Sequence, residues 1–112
     1  MNERRIKPLS PDEAAENARQ DIPDYVIEAV NNLLKLNLYK GHAVIRQDDI
    51  IAETRRLADQ QNEKITRQQI FDNHWLDFED IFGKVGWIVS YDKPGYNEIY
   101  PATFEFHDKR KE

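Results

Sequence analysis

The sequence predicts a small α+β domain, in which three core helices pack on a small antiparallel sheet that ends in a C-terminal β-hairpin. Three observations predict this class. Apolar residues recur at helical spacing through much of residues 23–85. Two runs rich in aromatic and β-branched residues then begin at Trp87 and Glu98, as is typical of strands. Pro94 and Gly95 lie between the two runs, where a type II turn would join them.

The composition indicates one domain without thiol chemistry. A chain of 112 residues with 39% hydrophobic content can bury one core, and the absence of cysteine excludes a disulfide scaffold. No apolar run approaches the roughly 20 residues of a membrane span, and no signal peptide is recognisable. We therefore expect a cytoplasmic protein that does not bind membranes. The net charge of −5 disfavours general nucleic-acid binding, which is usually carried by basic proteins.

Residues 1–22 are predicted to form a flexible basic arm followed by a short helix. Ser10 is a suitable helix cap, Pro11 fits the first helical position, and Glu13 stands three residues after the cap. Only alanines supply an apolar face, so we expect this helix to dock weakly.

The first core helix is predicted from Pro23 to about Leu38. Its expected core stripe consists of Val26, Ala29, Val30, Leu33 and Asn37. Three further apolar residues widen this arc, namely Ile27, Leu34 and Leu38. Either the first helix or the C-terminal segment covers them, or they form a homodimer or partner surface.

A short strand and the second core helix follow Gly41. The strand is expected at residues 43–45, and Asp48 and Asp49 then mark a helix N-terminus, where carboxylates are favourable. The inner face of this helix is predicted to contain Ile50, Ile51, Thr54, Leu57, Ala58 and Gln61. A polar turn over residues 59–64 ends it.

The third core helix is predicted to be long. Thr66 and Gln69 have the spacing of a capping box, and Gly83 and Gly86 tolerate the positive φ that ends many helices. The expected core stripe consists of Phe71, Trp75, Phe78, Phe82 and Val85, flanked by Ile70, His74 and Ile81.

The hairpin is predicted to pair residues 87–91 with residues 98–106. Alternation along the second strand places its even-numbered side chains inward, namely Tyr100, Ala102, Phe104 and Phe106. Residues 107–112 are expected to form a charged, frayed tail, so the compact domain would span residues 23–106.

This order of elements resembles the winged helix-turn-helix superfamily from about Pro23 to Phe106. The resemblance implies that the short strand joins the hairpin as a third strand. It also implies that the third helix is the one that often enters the DNA major groove, and that the hairpin is the wing. The compact acidic chain is also similar to small uncharacterised proteins of tailed phages, a resemblance that implies no activity.

Two sets of surface residues follow from this arrangement. The candidates for duplex DNA combine basic side chains near the turn and wing with side-chain amides of the type that read adenine edges. They are Arg55, Arg56, Lys64, Arg67, Gln69, Asn73 and Lys93. The candidates for a protein partner combine the acidic outer face of the third helix with two exposed anchors, and they are Asp72, Leu76, Asp77, Glu79, Asp80 and Tyr96. The acidic face favours a protein partner, and thus a regulator or inhibitor, over DNA.

No recognisable catalytic or cofactor motif occurs. Ser10 and Ser90 do not lie in a nucleophile elbow, and the four glycines are scattered rather than grouped in a phosphate loop. His74, Asp77 and Asp80 are spaced along a helix like metal ligands, but a semi-buried structural histidine is the preferred interpretation. His42 and His107 are expected to be isolated, in a loop and in the tail. We therefore predict a non-enzymatic binding module with no metal, cofactor or small-molecule substrate.

Overall fold

The computed structural model describes residues 22–111 together with Pro8, Ser10 and Pro11. Pro11 is helical, as the predicted cap at Ser10 requires, while the rest of the predicted arm and N-terminal helix lies outside the described residues. The described part is an α+β fold with four α-helices, a short 3₁₀ turn at Lys109–Lys111 and one antiparallel sheet. None of its helices is both long enough and apolar enough to cross a membrane.

Helix α1 spans Asp24–Asn37 and helix α2 spans Gln47–Gln60, as the apolar spacing predicts. Their buried faces meet each other and the sheet. The buried residues of α1 are Tyr25, Val26, Ala29, Val30 and Leu34, and those of α2 are Gln47, Ile50, Ile51, Thr54, Leu57 and Ala58. Because Leu34 belongs to this core, the predicted homodimer surface of Ile27, Leu34 and Leu38 is wrong as a set: Ile27 is partly buried and Leu38 alone is exposed.

The sheet contains β1 (His42–Arg46), β2 (Trp87–Asp92) and β3 (Thr103–Asp108), in the order β1-β3-β2. The predicted third strand and hairpin are thus confirmed. Phe104 and Phe106 point into the core, also as predicted. The predicted frayed tail is wrong at its start, because His107 and Asp108 belong to the central strand.

The connection between β2 and β3 differs from the prediction. The second strand begins at Thr103 rather than Glu98, and residues 93–102 form a loop. A type II turn at Pro94-Gly95 is wrong, since among the described glycines only Gly41 and Gly86 have positive φ. The loop is held instead by the Tyr100 hydroxyl, which donates to the Lys93 carbonyl at 2.7 Å.

The predicted long third helix is also wrong. Helix α3 spans only Arg67–Asp72 and helix α4 spans Glu79–Gly83. The predicted cap is present, because the Thr66 hydroxyl accepts from the Gln69 backbone N–H at 3.0 Å. The end of α3 is a Schellman motif around His74, whose φ is 56°.

The hydrogen bonds of this motif explain why the helix stops. The His74 N–H donates to the Phe71 carbonyl and the Trp75 N–H donates to the Ile70 carbonyl, each at 3.1 Å. These two carbonyls therefore accept the bonds of the motif instead of those of a continuing helix. The turn redistributes the predicted stripe. Phe78 and Phe82 remain in the core, but Val85 is largely exposed and Phe71 partly so, while Ile70 and Leu76 are buried.

Candidate functional site

A pocket of about 180 Å³ lies at the end of the sheet that is closest to the β2–β3 loop. Helix α2 contributes Gln47, and the adjacent strands β2 and β3 contribute the cross-strand pair Tyr91 and Phe104. The remaining walls come from α3, the turn after it and the start of α4, and they consist of Ile70, Phe71, His74, Leu76, Asp77 and Glu79. The break between α3 and α4 therefore lies at the pocket, with residues of both helices and of the turn among its walls.

The wall on the sheet side is fixed by aromatic packing and one hydrogen bond. The Tyr91 ring lies 4.7 Å from the Phe104 ring, centroid to centroid. The Tyr91 hydroxyl donates to Oε1 of Gln47 at 2.8 Å. Burial raises the pKa of Tyr91, so its hydroxyl stays protonated and remains a donor at neutral pH.

The opposite rim is acidic. Asp77 and Glu79 both line the pocket, and Asp77 Oδ2 lies 3.9 Å from Nδ1 of His74. Burial raises the pKa of Glu79, and the charges of Asp77 and Asp80 act in the same direction against the opposing effect of nearby backbone N–H groups. Oε1 of Glu79 is buried and accepts no hydrogen bond from the residues that the structure describes. An unpaired buried carboxylate oxygen is unfavourable, and a donor from a bound molecule would remove that cost.

The structure therefore separates the predicted protein-contact residues. Asp77 and Glu79 lie at the pocket, and Tyr96 is fully exposed on the β2–β3 loop. Leu76 is buried at 8% exposure, so the prediction of an exposed Leu76 anchor is wrong; the turn at His74 rotates it inward. Asp72 and Asp80 do not line the pocket, and Asp72 accepts from the Gln68 amide at 2.8 Å.

Three of the seven predicted DNA-contact residues line one groove, and the other four do not. Arg55, Arg56 and Lys64 line one shallow groove, which also contains the acidic residues Asp59 and Glu63. Two of these three basic side chains, Arg55 and Arg56, have partners within the chain. Arg55 Nε donates to the Ile65 carbonyl at 3.1 Å, and Arg56 pairs with Glu53 at 2.6 Å.

The other four DNA candidates lie outside that groove. Arg67 pairs with Asp48 at 2.8 Å, and its guanidinium also lies over the Phe71 ring. Gln69 and Asn73 are joined to each other, since the Asn73 amide donates to the Gln69 carbonyl at 2.8 Å. Lys93 begins the β2–β3 loop.

The histidines contradict their predicted environments. His74 is not semi-buried: its side chain is 79% exposed because the residue leaves the helix. His42 and His107 are not isolated either. They stand opposite each other on β1 and β3, and their rings stack with centroids 4.3 Å apart.

Sequence reasoning overlooked Gln47 and Tyr91 as site residues. Tyr91 follows Trp87 and Val89 at strand alternation, which indicates its inward face, but Gln47 gives no comparable indication before the fold is known. Comparisons of the chain with protein-family models, with curated proteins and with solved structures gave no match. The pocket is therefore interpreted from its own geometry.

Proposed function

We propose that this chain is a small, non-enzymatic, winged-helix-like module that binds a partner protein, and that its pocket accepts a cationic side chain of that partner. The observation that carries this proposal is the acidic rim of the apolar pocket, where a buried carboxylate oxygen of Glu79 has no donor among the described residues. A regulator or inhibitor acting through protein contacts is the function class that fits such a site.

The chemistry of the walls specifies the occupant. Ile70, Phe71 and Phe104 present apolar surface, which suits the methylene stem of an arginine or lysine. Asp77 and Glu79 then face the charged head. A guanidinium offers five N–H donors in a planar fork and binds carboxylates in pairs, so arginine fits better than lysine.

The winged-helix part of the proposal rests on the order of the elements. Helix, strand, helix, two short helices and hairpin follow one another, and the sheet order β1-β3-β2 places the first strand beside the last. The chain departs from the DNA-reading form of that fold at α3, whose six residues give little length to insert into a major groove. The departure favours a protein partner over DNA.

Duplex DNA is the second candidate, favoured by the groove that gathers Arg55, Arg56 and Lys64. The ion pair of Arg56 with Glu53 and the acidic residues Asp59 and Glu63 weaken it. Neutralisation of phosphates requires free positive charge, and here carboxylates already share the surface.

Titration with short peptides tests the proposal. Each peptide carries one arginine between apolar residues, and a matched peptide carries citrulline, which has nearly the same shape without the charge. Binding is followed by backbone amide NMR shifts. We expect the arginine peptide to shift Leu76, Asp77 and Glu79 in a saturable manner, and the citrulline peptide to have little effect.

Variants of the chain separate the pocket from general charge effects. Glu79→Gln is expected to weaken the arginine peptide, while Glu28→Gln, which removes an exposed carboxylate from α1, should leave binding unchanged. Equal shifts from both peptides, or no shift at any concentration, would reject the proposal. Binding to random-sequence duplex DNA that falls steeply with salt would favour the second candidate.

A further inference from the structure

Three metal-ligating side chains meet on the face of the sheet that points away from the helices. Nε2 of His107 lies 3.4 Å from Oε2 of Glu105, and Nε2 of His42 lies 3.6 Å from the same oxygen. One ligand atom from each of the three residues lies within 4.8 Å of the other two. The side chains are 45%, 41% and 39% exposed for His42, Glu105 and His107, so an ion can reach them from solvent.

The backbone fixes this arrangement. His42 and His107 are direct partners in the β1–β3 ladder, and Glu105 lies two residues before His107, on the same face of β3. The ladder continues past the histidines, because the Asp108 N–H donates to the Gly41 carbonyl at 2.8 Å. Rigid strands thus hold all three residues.

A tight turn also places His42. Tyr39 and His42 exchange backbone hydrogen bonds of 2.9 and 3.0 Å, and the two residues between them, Lys40 and Gly41, have φ of 52° and 78°. Positive φ at both central positions is typical of the type I′ turn of a two-residue hairpin. His42 is therefore fixed at the very start of β1.

Both distances are longer than a strong hydrogen bond, although His107 Nε2 is still within weak hydrogen-bond distance of Glu105 Oε2. Charge-assisted N–H···O bonds are about 2.7–2.9 Å long, and both distances exceed that range. Ligands at about 2.0–2.2 Å from a tetrahedral zinc ion are separated from each other by about 3.3–3.6 Å. The two nitrogen–oxygen distances are close to such tetrahedral edges. The imidazole planes are stacked 15° apart, so at least one of these exposed rings must rotate before both Nε2 atoms can point at one ion.

We propose that His42, Glu105 and His107 bind a divalent transition-metal ion of the Zn²⁺ class, with the fourth position left to water. Two imidazoles and one carboxylate suit Zn²⁺, Ni²⁺ or Cu²⁺, whereas Mg²⁺ and Ca²⁺ prefer oxygen ligands. The cross-strand neighbours of Glu105 are Val44 and Ser90, which are uncharged, so no directly opposed cation competes for the carboxylate.

This site is independent of the proposed function. The pocket uses Tyr91 and Phe104, and Phe104 lies on the buried face of β3, while Glu105 and His107 lie on the open face. A negative result for the metal site would therefore not bear on the proposed binding pocket, and a negative result for the pocket would not bear on the metal site.

Calorimetric titration of the untagged, metal-free chain with ZnCl₂ tests the site. We expect one ion per chain. His42→Ala and His107→Ala are each expected to weaken binding about 100-fold or more, since even the loss of an outer partner of a metal ligand costs about 10–100-fold. Glu105→Gln should weaken it less, because an amide oxygen can still bind.

His74→Ala is the matched control, since His74 is the third histidine of the chain and lies outside the cluster. It should bind zinc like the parent, and MgCl₂ should give no binding. Thermal unfolding of the metal-free variants checks that they fold. Added zinc should raise the Tm of the parent and of His74→Ala most, that of Glu105→Gln less, and those of His42→Ala and His107→Ala least. Absence of zinc binding to the parent, or equal binding to His42→Ala and the parent, would overturn the proposal.

Discussion

The side chain of Tyr91 in β2 and that of Gln47, the first residue of α2, are joined by a hydrogen bond of 2.8 Å. The backbone of Gln47 makes a second bond, in which its N–H donates to the Ala102 carbonyl at 2.9 Å, just before β3. One glutamine thus connects the start of α2 to β2 and to the last residue of the β2–β3 loop. Since Gln47 is buried, its side-chain oxygen has little access to water if Tyr91 releases it.

Tyr91→Phe should lower the free energy of unfolding by about 1 kcal/mol, because it leaves the buried Gln47 oxygen without this donor. Urea unfolding measures the change. Tyr96→Phe is the control: Tyr96 is fully exposed, and its substitution should stay within about 0.5 kcal/mol. Equal effects of the two variants would show that the Tyr91–Gln47 bond does not stabilise the fold.

His74→Gly should be more stable than His74→Ala by about 1 kcal/mol, because His74 has a φ of 56° and a Cβ atom is unfavourable there. In the interior of a continuous helix the order would reverse, since alanine exceeds glycine by about 1 kcal/mol. The sign of the difference, measured by chemical denaturation, therefore distinguishes two short helices from one long helix.

The failure of sequence reasoning at this position has a physical cause. The spacing of Phe71, Trp75, Phe78 and Phe82 fits a helix, and periodicity alone cannot exclude a left-handed residue between them. Glycine is the usual marker of such a helix end, and here a histidine occupies that position. By contrast, α1, α2, β1 and β2 were predictable, because in each of them the spacing of apolar residues and the residues at its boundaries indicate the same element.

Phe78→Ala should cost about 3–5 kcal/mol, because Phe78 is completely buried and its ring packs on Phe82, Phe104 and Phe106. Phe71→Ala is the informative comparison, since the helical stripe assigns both residues to the core while the structure leaves Phe71 38% exposed. We expect a clearly smaller loss for Phe71→Ala in the same denaturation assay. Similar losses of stability for the two variants would support the predicted continuous helix, in which both residues belong to the core.

Glu79→Gln should stabilise the chain at pH 7. A raised pKa in the folded state means that the folded chain holds the proton more tightly, so stability falls as the pH rises from the ordinary value of 4.5 through the raised value. Glutamine does not ionise and avoids this loss.

Thermal unfolding of both proteins across pH 3–8 measures the effect as a difference in Tm. The advantage of Glu79→Gln should shrink as the pH falls below the ordinary carboxyl pKa of 4.5, because Glu79 is then protonated in both states. A constant difference at all pH values would contradict the assignment of the raised pKa to this carboxyl group. Glu28→Gln, on the exposed surface of α1, reports the effect of removing one exposed negative charge together with its attraction to Arg56.

The candidate sites were less predictable than the helices, since they depend on pairing between distant segments. His42 meets His107 only because β1 and β3 adopt one particular register, and a shift by one residue would turn one histidine to the other face. Nothing local to either segment specifies that register. The pocket likewise lies at the turn at His74, and this turn could not be predicted because the helical spacing of apolar residues continues through it.

The position of β3 in the middle of the sheet has a consequence for how the protein is made. Both ladders include β3, while β1 and β2 do not pair with each other. As the ribosome releases the chain, β1 and β2 remain unpaired until residues 103–108 emerge. The sheet can form only then. A stalled or clipped chain that ends before Thr103 would lose the whole sheet at once, so quality control should recognise it as unfolded rather than as a shortened domain.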